Sequence, residues 1–537
     1  MATATGGVTP QPVASARATQ GAFATALECA RCHGTDAASL RDAAGRDVAP
    51  YALWSASMMA NASRDPLWRA EVSVEVAATP SAAAVIEAKC MSCHAPMAHR
   101  DAQGAVSLAL LDQGGSASLL AVDGVSCTVC HQATAPADVR ATFDGAFALN
   151  GQRELYGPHA NPRSMPMLNQ LNYLPREAAH MTQSDLCASC HTLTTAALDP
   201  SGAPSGGSLL EQSPFLEWQN SVYNDQVAVP HAKAASCQAC HVPTDDVGGS
   251  AIATPIAASR FGTPARSPFG RHVFVGGNTL IPQILRDQAA ALSPQAPAAA
   301  FDALIAATRT QLQTRTAQVR LASSSRAGDT LELGVEVQNA SGHKFPTGHP
   351  TRRAWLRLTV TDAQGRVVFA SGAHDAQGRI VAGGTPLPSE LAGGPHQPHH
   401  ATISASDQVQ IYQALMRDGA GDLTFLLLRG EGYLKDNRLL PEGWSSTHPT
   451  AAVAGPAGLG ADPDFGAGGE VARYRVNAPA SAGPYAVEAT LLYQSLSPRF
   501  AAELFQYSTP EVAAFQTYYA AADRTPERVA QVRAQVN

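Results

Sequence analysis

Five copies of Cys-x-x-Cys-His fall within the first 241 residues of a 537-residue chain: Cys29/Cys32/His33, Cys90/Cys93/His94, Cys127/Cys130/His131, Cys187/Cys190/His191 and Cys237/Cys240/His241. The chain has ten cysteines, and the motifs use them all. Two C-x-x-C knuckles can hold a zinc ion through four thiolates, but five knuckles cannot all pair that way. Neither zinc nor redox C-x-x-C requires His directly after the second Cys. With 17 His in 537 residues, its appearance after all five pairs by chance is on the order of 10⁻⁸. C-x-x-C-H is the attachment site of haem c, with two thioethers to the vinyl groups and the His as proximal iron ligand. Five covalently bound haems c are therefore expected, with Cys29, Cys32, Cys90, Cys93, Cys127, Cys130, Cys187, Cys190, Cys237 and Cys240 binding the cofactor. His33, His94, His131, His191 and His241 are the expected proximal ligands.

The motifs also bear on compartment and core. Haem c is attached outside the bacterial cytoplasm, and a chain with no spare thiol suits oxidative maturation. A periplasmic, extracellular or cell-surface location is expected. No basic and then apolar leader is visible at the N-terminus, so the sequence is read as a trimmed, mature form. Residues 1–20 read as a flexible lead. The chain is 45% hydrophobic but only 6% aromatic; five porphyrins packed at about one per fifty residues would supply the missing core. A net charge of −7 argues against a nucleic-acid partner, which would want a basic face. No apolar run reaches the ~18 residues needed to span a bilayer.

The fold expected is α+β and multidomain. A mainly helical, loop-rich haem domain is assigned to 21–315, with short helices such as "PSAAAVIEAKC" and "AAHMTQSDLCASC" between Gly/Pro-rich loops. A helix at 298–314 closes it. The pattern then changes to period two in "DTLELGVEVQN", "RAWLRLTVTD" and "YAVEATLLYQ", which predicts an antiparallel β-sandwich over 316–495. Residues 496–537 are expected to form a helical segment.

What stands opposite each proximal His decides between a wire and an enzyme, because a bis-His iron is saturated and an open one can bind a small molecule. Five other His lie in the haem half: His99, His159, His180, His231 and His272. His180, His231, His272 and His159 are candidate distal ligands; His99, close after His94, reads as a solvated loop residue. Two segments share a frame, Trp54-x-x-Ser57-x-Met59 and Trp218-x-x-Ser221-x-Tyr223. Met59 is a candidate thioether ligand, or fills a gap against a porphyrin. Tyr223 is expected to pack, with a place over an open iron as the alternative.

The segments "DGVSCTVCHQ", "LCASCHTL", "CQACHVP" and "RHVFVGGN", together with the Trp-x-x-Ser frame, resemble multihaem cytochromes related to the nitrifier tetrahaem cytochrome c and hydroxylamine oxidoreductase, over roughly residues 25–290. The resemblance implies that His in the "H-x-F-x-G-G-N" segment, here His272, and His in the last position of the frame can be distal haem ligands; Met59 and Tyr223 stand where that second His would be. "NASGHKFPTGHPTRRAW" and "YLKDNRLLPEGW" resemble segments of C-terminal β-domains appended to such cytochromes. His343 and His349 in the first of these cap a haem, bind a metal with His399 or His400, or only hold a loop; His343 is retained as a candidate ligand. His396, His399 and His400 read as surface rather than a metal site.

The function expected is electron transfer through a chain of closely packed, mostly bis-His haems. Redox proteins with a basic face are the expected partners, and a homo-oligomer or filament is a further expectation. The alternative is an oxidoreductase acting on a small nitrogen species or peroxide at one five-coordinate haem. Against it, the chain has no C-x-x-C-K motif and no recognisable peroxidase base.

Overall fold

The structure, a computed structural model, describes residues 11–537. The architecture is α+β, as the sequence predicts: a motif-bearing half of short helices and small hairpins, then a β-rich half. Residues 11–20, expected to be a loose lead, are instead tied down. The Val13 amide donates to Leu111 O at 3.0 Å. The buried Arg64 guanidinium donates to Val13 O (2.9 Å), Ser15 Oγ (2.8 Å) and Val122 O (3.1 Å). A guanidinium removed from water needs such acceptors, and the N-terminal stretch supplies two of them. Residues 1–10 of that expected lead lie outside the described residues.

The motifs sit on short helices because attachment needs both sulfurs and the imidazole on one side, and positions i, i+3 and i+4 share a helix face. Ala26–His33, Ala83–His94 and Cys237–His241 each contain a whole motif; Cys127–Cys130 and Asp185–Ala188 start one. "AAHMTQSDLCASC" is not one helix but two pieces, Ala179–Thr182 and Asp185–Ala188. Between them Ser184 turns inward, its Oγ accepting from the Cys237 amide at 3.1 Å. Apolar side chains in this half form several separate clusters; the largest gathers Phe23, Trp68, Met91, Met97, Leu111 and Phe147.

The helix Ala298–Arg315 leads into the sandwich. One sheet runs Thr402–Ile403, Gly469–Asn477, Thr330–Asn339, Ala317–Ala327. The other follows Leu423–Thr424, Ile411–Arg417, Arg353–Thr361, Tyr485–Gln494, Glu527–Val536, with Val367–Ser371 and Tyr433–Asp436 on side branches. Pairing puts Leu333 opposite Tyr474 in the first sheet and Leu358 opposite Ala489 in the second. The inward residues of both sheets form one core.

The last segment corrects the expected boundary. Residues 496–537 hold the helices Pro498–Leu504 and Pro510–Ala521, but Glu527–Val536 is a strand of the larger sheet, paired with Tyr485–Gln494. The two helices turn back to the motif-bearing half. Phe500, Phe515 and Tyr519 pack with Leu67, Ala70 and Val74 of the helix Pro66–Ala78 and with Ile284. The halves thus share a core, so the C-terminus closes both. No helix among the described residues is long and apolar enough to cross a membrane.

Candidate functional site

The five motifs lie against one another. The Cys29 thiol neighbours Cys127, Cys190 neighbours Cys93, and Cys187 neighbours Cys237, while Cys130 is close enough to raise the pKa of both Cys187 and Cys190. Numbering the motifs in chain order, 1 touches 3, 3 approaches 4, and 4 touches both 2 and 5.

Four of the five proximal imidazoles are oriented by main-chain carbonyls. Nδ1 of His33 meets Ile256 O (2.7 Å), His94 meets Ala62 O (3.1 Å), His131 meets Tyr156 O (2.6 Å) and His241 meets Val275 O (2.7 Å). A carbonyl can only accept, so Nδ1 carries the proton and Nε2 keeps its lone pair for a metal. Burial lowers the pKa of His94 and His191 to about 4, which keeps them neutral, the form that ligates.

Two further imidazoles face motif histidines. His272 lies with its ring centre 6.3 Å from that of His131 and planes 23° apart. His343 stands 6.4 Å from His241 at 10°. Two imidazoles bound to one iron at about 2 Å each put their ring centres about 6 Å apart. Both rings also have the ligand tautomer: Nδ1 of His272 faces Gly270 O (3.1 Å) and that of His343 faces Lys344 O (3.0 Å). The residues present therefore fit an iron between each pair. His343 comes from the loop between the strands Thr330–Asn339 and Arg353–Thr361, which enters the motif-bearing half. The loop is clamped there by buried ion pairs. The Lys344 amide donates to Glu217 Oε2 (3.0 Å), Lys344 Nζ pairs with Asp436 (2.6 Å), and Arg438 pairs with Glu217 (3.1 Å) and Asp436 (2.8 Å).

The other expected ligands are placed differently. His180 is buried, but its Nε2 donates to Ala133 O at 2.8 Å, leaving only Nδ1 free. His231 is exposed and its Nδ1 accepts from the Lys233 amide at 3.2 Å, the reverse of the ligand tautomer. His159 is half-buried, with Arg266 nearby. His99 is a half-buried helix residue rather than a solvated loop residue, and its Nδ1 lacks a partner. His399 is not at the surface: its Nδ1 accepts from Gln410 (3.0 Å) and Asn437 (3.1 Å), and its Nε2 lies 3.0 Å from Asp462. His399, Asp462 and Glu470 are near enough to hold a cation. The amide donors at Nδ1 leave the proton on Nε2, however, where a metal would have to bind.

The two Trp-x-x-Ser frames do one job twice. Trp54 Nε1 donates to Val125 O and Trp218 Nε1 to Ala235 O, each at 3.0 Å. The Val125 amide donates to Met59 O and the Ala235 amide to Tyr223 O, each at 2.9 Å. Each frame therefore clasps the residue two positions before a motif, Val125 before Cys127 and Ala235 before Cys237. The last position acts through its carbonyl, so its side chain is free to vary. The Tyr223 hydroxyl donates to Ala340 O at 2.9 Å and bridges to the His343 loop; Met59 is half-buried.

Beside motif 2 lies a buried group of which sequence reasoning named His349 but not Glu71 or Glu211. His349 Nε2 lies 3.7 Å from Glu71 Oε2 and 3.9 Å from Glu211 Oε1. The two carboxylates carry no local sequence signal, being brought to His349 only by the fold.

Residues 28–132, which include the first three motifs, match the family described as cytochrome c554 and c-prime. No curated protein matches the sequence. Among solved structures, a penta-heme cytochrome c552 from Thermochromatium tepidum is similar, with a TM-score of 0.50 at 17% identity. The likeness covers 95% of this chain and 98% of that one. At that identity the likeness is one of fold, and it extends through the β-rich half.

Proposed function

We propose that this chain binds five haems c, one at each motif, and passes electrons among them as a multihaem cytochrome. The observation that carries the reading is the contact between cysteines of different motifs. Each thioether sulfur stands one carbon from a porphyrin edge, so neighbouring sulfurs put two edges nearly in contact. The route is 1–3–4, with 2 and 5 branching from 4. His131/His272 and His241/His343 are the axial pairs of motifs 3 and 5, and saturated irons of that kind carry electrons without binding substrate. His180, His159 and Met59 remain candidates for the distal positions of motifs 1 and 4.

The location is periplasmic or cell-surface, where haem c is attached. The partner is a redox protein with a basic face, attracted to a chain of charge −7; self-association end to end would extend the wire. Intact mass gives the haem count, and pulse-reduction kinetics test the route. Five haems equilibrating faster than any external donor can reduce them are expected. Fewer than five attached haems, or haems reduced independently of one another, would overturn the reading.

A further inference from the structure

Positive charge gathers beside motif 1, the free end of the 1–3–4 route, on a chain whose net charge is −7. Arg31 of the motif helix donates to Gln170 Oε1 at 2.9 Å. Arg163 donates to Gly262 O (2.9 Å), Arg266 to Asn161 O (3.1 Å), Arg153 to Leu171 O (3.0 Å) and Arg260 to Arg31 O. Five guanidiniums thus stitch the helix Ala26–His33 to residues 153–171 and 260–266. Among the described residues only Arg31 of these five pairs with a carboxylate, that of Glu28 at 3.3 Å. Asp36 also lies here, its carboxylate taken by the Ser39 and Ser259 hydroxyls. The other four guanidiniums spend these donors on neutral carbonyls, which leaves their charge unmatched.

The same surface carries apolar side chains. The helix Ser164–Leu171 has no fully buried residue, and its half-buried face includes Ser164, Met167 and Leu171. Met165 and Leu168 adjoin one turn apart on the side toward solvent, Met165 being 61% exposed. A flexible thioether at a surface adapts to what it meets, and an apolar centre with a charged rim marks an interaction site. The cofactor edge is close by. Cys32 is half-buried; burial raises the pKa of its thiol and the charges of Arg260 and Arg31 pull it back, so both guanidiniums stand near the sulfur. Thioethers form at the vinyl edge of a porphyrin, so the arginines border that edge rather than the propionates.

We propose that Arg31, Arg153, Arg163, Arg260 and Arg266, around Met165, form a docking face for an acidic redox protein. One electron passes between that protein's centre and the iron at motif 1, one being oxidised as the other is reduced. A basic-faced partner meets the acidic remainder of the chain, and this face takes a partner of the opposite sign, so the two do not compete. The inference rests on haem attachment at motif 1, which peptide mapping of Cys29 and Cys32 checks separately.

The probe is a reduced plant-type 2Fe–2S ferredoxin of net negative charge, mixed with the fully loaded, oxidised chain. The second-order rate of haem reduction should fall steeply as salt is added. Arg163→Glu and Arg260→Glu should each slow it about fivefold at low ionic strength. Arg528→Glu, the same charge change on an exposed residue of the sandwich, should leave it nearly unchanged. Reduction by the methyl viologen radical cation, which needs no such face, should not be slowed in any of them. A ferredoxin rate no slower in Arg163→Glu and Arg260→Glu than in Arg528→Glu would overturn the proposal and leave the haem wire standing. So would a shifted potential or incomplete loading of the motif 1 haem in both variants, since that would make the arginines partners of its propionates. Loss of self-association in Arg163→Glu with the ferredoxin rate unmoved would also overturn it, by seating a second copy on the face.

Discussion

The imidazole of His343 faces that of His241 with planes 10° from parallel and ring centres 6.4 Å apart, although one belongs to the sandwich and the other to a haem-attachment motif. Replacing His343 by Ala should turn one haem per chain from low-spin to high-spin, a fifth of the iron if all five motifs are loaded. Spin-counted EPR of the oxidised protein reads this directly. His272→Met should keep motif 3 low-spin and raise its potential, because a thioether stabilises the reduced iron relative to imidazole; a redox titration of the variant shows it.

Glu217 is the shared acceptor behind that loop, bound by the Lys344 amide, the Ser213 hydroxyl and Arg438. Glu217→Gln leaves Arg438 with Asp436 and removes a buried charge partner, at a cost of about 3 kcal/mol. The melting temperature followed by far-UV circular dichroism should fall, and the motif 5 EPR signal should broaden as His343 loosens. An unchanged melt would show that Asp436 alone neutralises Lys344 and Arg438.

Glu470 gives the sandwich a pH signature. Burial pushes its pKa up to about 8 from 4.5. The folded state therefore holds a proton that the unfolded state releases. That contribution to stability is complete below pH 4.5, declines as pH rises to 8, and is then gone. It amounts to about 5 kcal/mol at most. Glu470→Gln should flatten the melting temperature between pH 5 and 8 relative to the parent; a parallel curve would refute the assignment.

Tyr223→Phe removes the hydroxyl that donates to Ala340 O. The haem spectrum should stay unchanged, since the phenol is committed to a carbonyl, and stability should fall by about 1 kcal/mol. A shift in the high-spin fraction would instead put Tyr223 over an iron.

What was legible in the sequence was local. C-x-x-C-H declares its chemistry within five residues, and Leu331, Leu333, Val335 and Val337 alternate cleanly because one face of their strand is buried. The strand Glu527–Val536 escaped because a register shift opposite Leu491/Leu492 breaks its alternation. The Trp-x-x-Ser repeat was visible, but Trp54 grips Val125, far along the chain, and neither side chain announces the other. His272 stood out through its surrounding segment. His343 and His349 did not separate, because what distinguishes them is a contact with a distant motif: the His343 ring faces that of His241, while His349 lies beside Glu71 and Glu211.

The loop that carries His343 has a mechanical consequence. With iron bound between His241 and His343, the chain is cross-linked across a loop of about 100 residues, which in a disulfide would restrict the unfolded state by about 4.7 kcal/mol. Unlike a disulfide, this staple answers to charge. Any change in the iron's preference for imidazole on reduction is felt as a change in how firmly the sandwich is held. Each electron that passes motif 5 therefore also tests the grip between the two halves of the molecule.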